Sequence, residues 1–153
     1  MRVRPATAAD IPAMMRLVNH SSTAAHWSRE QYELVFGQPA PRRAAWVIED
    51  EGKTPPQHLH GFLVAHEVAG EWEIENIVVQ QLMRRRRLAT RLLAELQAVA
   101  RTEGATAIFL EVRESNQAAR AFYESRGFCT SGRRPRYYSN PDEDAITYRL
   151  ALA

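Results

Sequence analysis

Four stretches, read in order, decide the fold: Asn76-Ile77-Val78-Val79, then Arg84-Arg85-Arg86-Arg87-Leu88-Ala89, then Leu110-Glu111-Val112-Arg113-Glu114-Ser115-Asn116, then Ala121-Phe122-Tyr123-Glu124-Ser125-Arg126-Gly127-Phe128. An apolar strand ends at Val79, and a basic run opens a helix whose apolar positions Leu88, Leu92, Leu93, Leu96 and Val99 recur at helical spacing. A strand that hands its backbone to a helix N-terminus makes an anion site: the first-turn N–H groups have no acceptor inside the helix, and the helix dipole adds its positive end. A carboxylate, Glu111, and a phenol, Tyr123, follow on the next strand and helix.

Outward from this centre, the helix predicted over Arg87 to Thr102 ends at Gly104, a residue suited to the left-handed C′ position. Ala107 to Val112 is a near-continuous apolar run, the pattern of a buried strand. Asn116 caps a short helix running through Ser125 and stopped by Gly127. Phe128 to Arg133 and Ala145 to Leu150 read as two last strands. Upstream, Leu59 to Ala69 and Glu71 to Val79 form a hairpin across Gly70, and Ala44 to Glu49 is a further strand. Arg2 to Ala6 opens the chain as a strand, with Thr7 as N-cap of a helix carrying Ile11, Met14, Met15 and Val18. Ser28-Arg29-Glu30-Gln31 is a capping-box start for a second helix with Tyr32, Leu34, Val35 and Phe36 on its apolar side, stopped by Gly37 and Pro39. The order β-α-α-β-β-β-α-β-α-β-β predicts an α/β domain with a mixed sheet.

The 153 residues suit one domain and one core, with 45% hydrophobic and 25% charged residues. The formal net charge of +2 is weak evidence for a nucleic-acid partner, and the basic residues instead cluster at Arg42-Arg43, at Arg84 to Arg87, and at Arg133-Arg134 with Arg136. The single cysteine, Cys129, excludes an internal disulfide, and its place on a strand suggests a small buried hydrophobe rather than a nucleophile. Met1-Arg2-Val3-Arg4-Pro5 lacks the apolar run of a signal peptide, and no stretch reaches the roughly 20 apolar residues that span a bilayer, so the chain reads as cytoplasmic with no membrane partner. His58 and His60 lie two apart without a third ligand, a poor zinc site, and no metal is expected.

The chemistry suits an acyl-coenzyme A. A diphosphate needs convergent N–H donors, here over Arg84, Arg85, Arg86, Arg87, Leu88, Ala89 and Thr90, with guanidinium groups adding charge-assisted bonds. The two amides of a pantetheine arm need an unpaired strand edge, for which Ile77, Val78 and Val79 are placed. By itself the arginine run is also compatible with a solvated basic face or a nucleic-acid patch. Transfer to an amine further needs a base and a proton donor for the leaving thiolate. Glu111 and Tyr123 fill those roles, and Glu73 and Glu75, alternating onto one strand face, are rival bases. Each has a plainer reading: Glu111 as a salt-bridged strand end, Tyr123 as a core aromatic, Asn116 as a helix cap.

Arg84 to Ala89 resembles the Q/R-x-x-G-x-G/A loop of the GNAT N-acetyltransferase superfamily, with Arg84 at the first position and Ala89 at the last. Arg87 stands where that loop has glycine, and a helical backbone is expected for it. Leu110-Glu111-Val112-Arg113 with Ser115-Asn116, and Phe122-Tyr123-Glu124-Ser125 with Gly127-Phe128, resemble the RimI branch of the superfamily, as do Ala25-His26-Trp27-Ser28 and the segment Arg136-Tyr137-Tyr138 to Ile146. The resemblance implies a sheet of about seven strands with a splayed central pair, acetyl-CoA as co-substrate, Glu111 as general base, Tyr123 as general acid and Asn116 on the coenzyme arm. It also implies a protein N-terminus as partner, the N-terminal alanine of a small-subunit ribosomal protein, with no direct nucleic-acid contact and a monomer or weak dimer. An α-amine with pKa ~8 costs ~1.4 kcal/mol to deprotonate at neutral pH, against ~4.6 for a lysine amine at ~10.4, so a carboxylate base suffices for the former. Trp27, Tyr137 and Tyr138 are placed to wall a peptide groove, with Glu75 or Glu73 holding the amine or a basic second residue. Equally, Trp27 has the position of a helix staple and the tyrosines those of ordinary strand residues. A small-molecule amine as acceptor, and a catalytically weak acyl-CoA-binding module, are the alternative readings.

Overall fold

The computed structural model describes residues 1–19, 26–80 and 87–152. Seven strands, β1 (Arg2–Pro5), β2 (Arg43–Glu49), β3 (Leu59–Val68), β4 (Glu71–Val79), β5 (Ala107–Arg113), β6 (Cys129–Tyr138) and β7 (Glu143–Ala151), form one sheet in the order β1-β2-β3-β4-β5-β7-β6. Four helices, α1 (Ile11–Asn19), α2 (Arg29–Gly37), α3 (Leu88–Thr102) and α4 (Gln117–Ser125), complete it, with a 3-10 turn at Ala8–Asp10 leading into α1. Every neighbouring pair is antiparallel except β4–β5.

The sheet is covered on both faces. Ile11, Met14, Leu17, Tyr32 and Val35 of α1 and α2 pack on Val47, Phe62, Val64 and Val78. On the other face Leu88, Leu92, Leu93 and Leu96 of α3, with Tyr123 and Phe128, pack on Leu63, Trp72, Ile74, Ile108 and Tyr148. Strands buried on both faces carry apolar residues on both, which is why Ala107 to Val112 reads as a continuous run.

The β4–β5 pairing is what positions the site. It holds for only two residue pairs, Trp72↔Ile108 and Glu73↔Phe109. Immediately beyond, the β3–β4 register shifts: Ala65 opposes Ile74 and Val64 opposes Asn76, leaving Glu75 as an extra residue. A bulge of this kind bends and twists its strand, so β4 turns away from β5 where Glu75 sits. The bulge also changes which residues share a face: Trp72 and Ile74 join Ile77 and Val79 on the α3 side, while Val78 faces α1.

Both helices around the site end alike. Gly104 (φ +74°) and Gly127 (φ +94°) take the left-handed C′ position. Ala105 N donates to Ala100 O and Gly104 N to Arg101 O; Phe128 N donates to Tyr123 O and Gly127 N to Glu124 O. These are two Schellman motifs, and in the second the usual apolar contact across the motif is Phe128 on Tyr123, with ring centroids 5.3 Å apart.

Three expectations need correction. Arg87 is not the first helical residue: it is the N-cap of α3, at φ +60° and ψ +26°. Arginine occupies this left-handed conformation at a steric cost glycine would avoid. Cys129 is exposed rather than buried, because β6 is an edge strand with little packed on it. The last two strands are also longer than expected, reaching Tyr138 and starting at Glu143.

Candidate active site

Where β4 leaves β5, the β4 edge facing β5 has no strand partner beyond Glu73, so the edge of Ile77, Val78 and Val79 on that side is open among the described residues. The N-terminus of α3 lies at the end of the same strand connection: Arg87 is exposed and Leu88 is buried in the core. The backbone N–H groups of Leu88, Ala89 and Thr90 belong to the first turn and have no acceptor within the helix. An open strand edge and a first turn of free amides are the donor set a pantetheine arm and diphosphate require, so the residues present fit the coenzyme. Arg84, Arg85 and Arg86 lie outside the described residues, as does Ala25.

The opposite side of the split carries charge. Glu111 on β5 has an 11% exposed side chain, and its Oε1 lies 3.3 Å from Arg134 Nε. Its Oε2 is buried without a hydrogen-bond partner among the described residues. Glu73, the last β4 residue paired to β5, is pushed above the usual carboxylate range by burial first, then by the charges of Glu111 and Glu75, with His66 and Arg134 pulling the other way. Glu75, the bulge residue, accepts from Arg43 Nε at 2.9 Å. His66 stands between the two: Nε2 is 3.3 Å from Glu73 Oε1 and Nδ1 is 2.9 Å from Glu75 Oε1. Tyr138 is half-buried under the Arg113 guanidinium, 4.6 Å from its ring centre. Burial and the nearby Glu111 charge push its phenol up to about 12. Tyr137 is 53% exposed and lies 5.2 Å beneath the Arg134 guanidinium.

Tyr123 is 2% exposed and sits in the apolar layer with Phe122, Phe128 and Tyr148 rather than on an open wall. Burial holds its phenol well above the ordinary value, so it keeps its proton at neutral pH. Asn116 caps α4, its Oδ1 accepting from Ala119 N at 3.2 Å. Trp27 stands one residue before the Ser28 cap and packs on Tyr32 at 5.3 Å between ring centroids, a hydrophobic staple. The structure thus brings Glu73, Glu75, Glu111, Tyr137 and Tyr138 into one neighbourhood and assigns Trp27 a packing role. His60 meets Gln80 and His58 lies near Glu49, away from this group.

Three residues escape a sequence reading: Arg43, His66 and Arg134. His66 has a signal. A two-residue turn at Ala69-Gly70 pairs Val68 with Glu71 and therefore His66 with Glu73. Arg134 reaches Glu111 only through the β6–β7–β5 order, which no local pattern reveals. Nor are the other basic runs free: Arg42 pairs with Glu103 and Glu67, and Arg133 with Glu114 and Asp144.

Residues 11–128 match the sequence pattern of the acetyltransferase (GNAT) family. The chain belongs to that family. As a GNAT acetyltransferase it is 32% identical over 146 residues to the [ribosomal protein bS18]-alanine N-acetyltransferase of Salmonella typhimurium, covering 94% of this chain and 93% of that one. It is 42% identical over 86 residues, 56% of its length, to an uncharacterized protein of Mycobacterium leprae, of which it spans only 23%. The crystal structure of the ribosomal-protein-S18-alanine N-acetyltransferase from Escherichia coli superposes with a TM-score of 0.85 at 28% identity, covering 99% of this chain and 94% of the other. The GNAT fold, including the seven-stranded sheet, is therefore established here, and no helix among the described residues is long and apolar enough to cross a membrane.

Proposed function

We propose that this GNAT enzyme moves the acetyl group of acetyl-CoA onto the α-amine of a protein N-terminus, and that the acceptor is the N-terminal alanine of a small-subunit ribosomal protein. Acetyl-CoA is the co-substrate. The observation that carries the reading is Glu111: a carboxylate at the strand split whose Oε2 is buried with no partner among the described residues, while Glu75 accepts from Arg43 and Glu73 lies beside His66. A buried acceptor without a donor is costly unless something supplies one, and an incoming ammonium does.

In this reading Glu111 takes a proton from the ammonium and leaves the neutral amine to attack the thioester carbonyl. As the carbon–sulfur bond breaks, Tyr123 gives its proton to the sulfur, and the proton shed by the newly acylated nitrogen restores the phenol; its protonated state at neutral pH supports that role. The Ile77–Val79 edge and the first turn of α3 hold the coenzyme, with Arg84 to Arg87 toward the diphosphate and Asn116 beside the arm. Tyr137 and Tyr138 flank the acceptor beside Glu111. Supporting the acceptor class is the relative in Salmonella, which matches along nearly the whole of both chains.

The test is mass spectrometry after incubation with acetyl-CoA and a library of N-terminal peptides. Acetylation of alanine termini and not of lysine side chains is the expected result; acetylation of small amines with every peptide left untouched would overturn the acceptor assignment. Glu111→Gln is expected to lower kcat about 10²-fold or more while acetyl-CoA still binds.

A further inference from the structure

His66 lies in the middle of a three-strand row: Arg43 of β2 opposes it on one side and Glu73 of β4 on the other. Its ring lies between two carboxylates, Nε2 3.3 Å from Glu73 Oε1 and Nδ1 2.9 Å from Glu75 Oε1, with no hydrogen bond made by Nδ1 among the described residues. Glu75 is itself fixed by Arg43. The Glu75 bulge brings both carboxylates within reach of the same ring. We infer that His66 is a positioning residue of the acceptor site, standing between Glu73 and Glu75 so that Glu73 is held where it grips the acceptor's ammonium while Glu111 takes its proton.

This rests on the reading above, in which an ammonium enters at the strand split. Three carboxylates, Glu73, Glu75 and Glu111, converge on the split from β4 and β5. Of the three carboxylates, Glu75 and Glu111 each pair with an arginine, and Glu73 meets only the ring among the described residues. The side chains of His66 and Glu73 are 19% and 26% exposed, enclosed enough for the contact to matter and open enough for an amine to arrive. His66 therefore acts through Glu73 and does not touch the reacting atoms.

The test is a set of steady-state rates with a synthetic peptide beginning with alanine at saturating acetyl-CoA. His66→Ala and Glu73→Gln are each expected to raise the peptide KM about tenfold with kcat held within about twofold, the mark of lost binding that is equal in ground and transition states. The double variant should be no worse than Glu73→Gln, because both changes remove one interaction. His66→Gln, whose amide still donates, should recover part of the loss. Additive effects, or a fall in kcat at unchanged KM, would overturn the inference; a purely structural residue would lower the melting temperature and leave KM in place. With ethanolamine as acceptor the same KM shift is expected, since the pocket asks only for an ammonium. An inert peptide beside an active amine would thus count against the N-terminal acceptor alone, and an unshifted KM on the active acceptor against His66.

Discussion

At the residue scale, Arg87 holds a backbone conformation that suits glycine. A non-glycine residue in the left-handed region costs about 1–2 kcal/mol, and Arg87 holds that conformation at the helix entry. Arg87→Gly should therefore stabilise the fold by about 1 kcal/mol, read by denaturant unfolding, and keep or tighten acetyl-CoA binding, read by titration. A large loss of affinity would mean that the guanidinium itself contacts phosphate. Tyr123 offers the complementary test. It is buried and protonated, and its ring is anchored by Phe128 through the helix-ending motif. Tyr123→Phe preserves the ring packing and removes only the hydroxyl, so kcat should fall about 10²-fold with coenzyme affinity nearly unchanged. Unaltered turnover would strike Tyr123 from the mechanism.

At the element scale, two turns use the same backbone physics with opposite consequences. The β3–β4 hairpin closes through Ala69 (φ +50°) and Gly70 (φ +78°), a two-residue turn in which both central residues are left-handed. Ala69 is poorly suited to that region, whereas asparagine tolerates it. Ala69→Asn is expected to stabilise the protein by about 0.5–1 kcal/mol and to leave the hairpin register, and with it the His66–Glu73 pairing, unchanged. Gly127 is the reverse case: a Cβ there would meet Leu150 at an ordinary 3.6 Å, so Gly127→Ala suffers from φ +94° alone. The expected cost is about 1–2 kcal/mol in the melting free energy. The bulge at Glu75 is the third such device, since it ends the β4–β5 pairing where the site begins. Of these elements, the hairpin, both glycine stops and the Asn116 cap were legible from the chain, because each depends on residues within a few positions of one another. The bulge was not, because an extra residue shows only against its partner strand.

At the scale of the whole molecule, Arg4 ties the first strand to the body of the sheet. Its guanidinium reaches Asp10 at 2.8 and 2.9 Å and Glu49 at 3.0 and 3.1 Å, and Arg2 adds a further bond to Glu49. Burial by itself would raise Asp10, but Arg4 and the Thr7 N–H outweigh it and hold the carboxyl below the usual range. Glu49 is lowered chiefly by Arg4 as well. Carboxylates depressed in the folded state contribute stability that is complete above their ordinary pKa, about 4, and is lost as the pH falls through it toward the folded value. Melting temperatures measured from about pH 6 down to pH 3 should fall accordingly. Arg4→Ala leaves two buried carboxylates without their main partner; it should cost about 3 kcal/mol near neutral pH and flatten the acid slope. A mutant slope as steep as that of the parent would show that other groups govern the acid transition.

The sequence alone determined the order of elements, the mixed sheet and most of the helix caps, and it singled out the carboxylate, phenol and arginine run proposed here for acyl transfer, because periodicity, capping and turn chemistry act over a few residues and are written locally. What only the tertiary structure decided is how those groups meet. Glu111 finds Arg134 across a strand order of β5-β7-β6. Trp27 turns to Tyr32 as a staple, and Tyr123 closes into the core. Arg87 takes a glycine's backbone as the N-cap of α3. Each is a contact or a conformation imposed by packing between segments distant in the chain, and packing of that kind leaves no period to read.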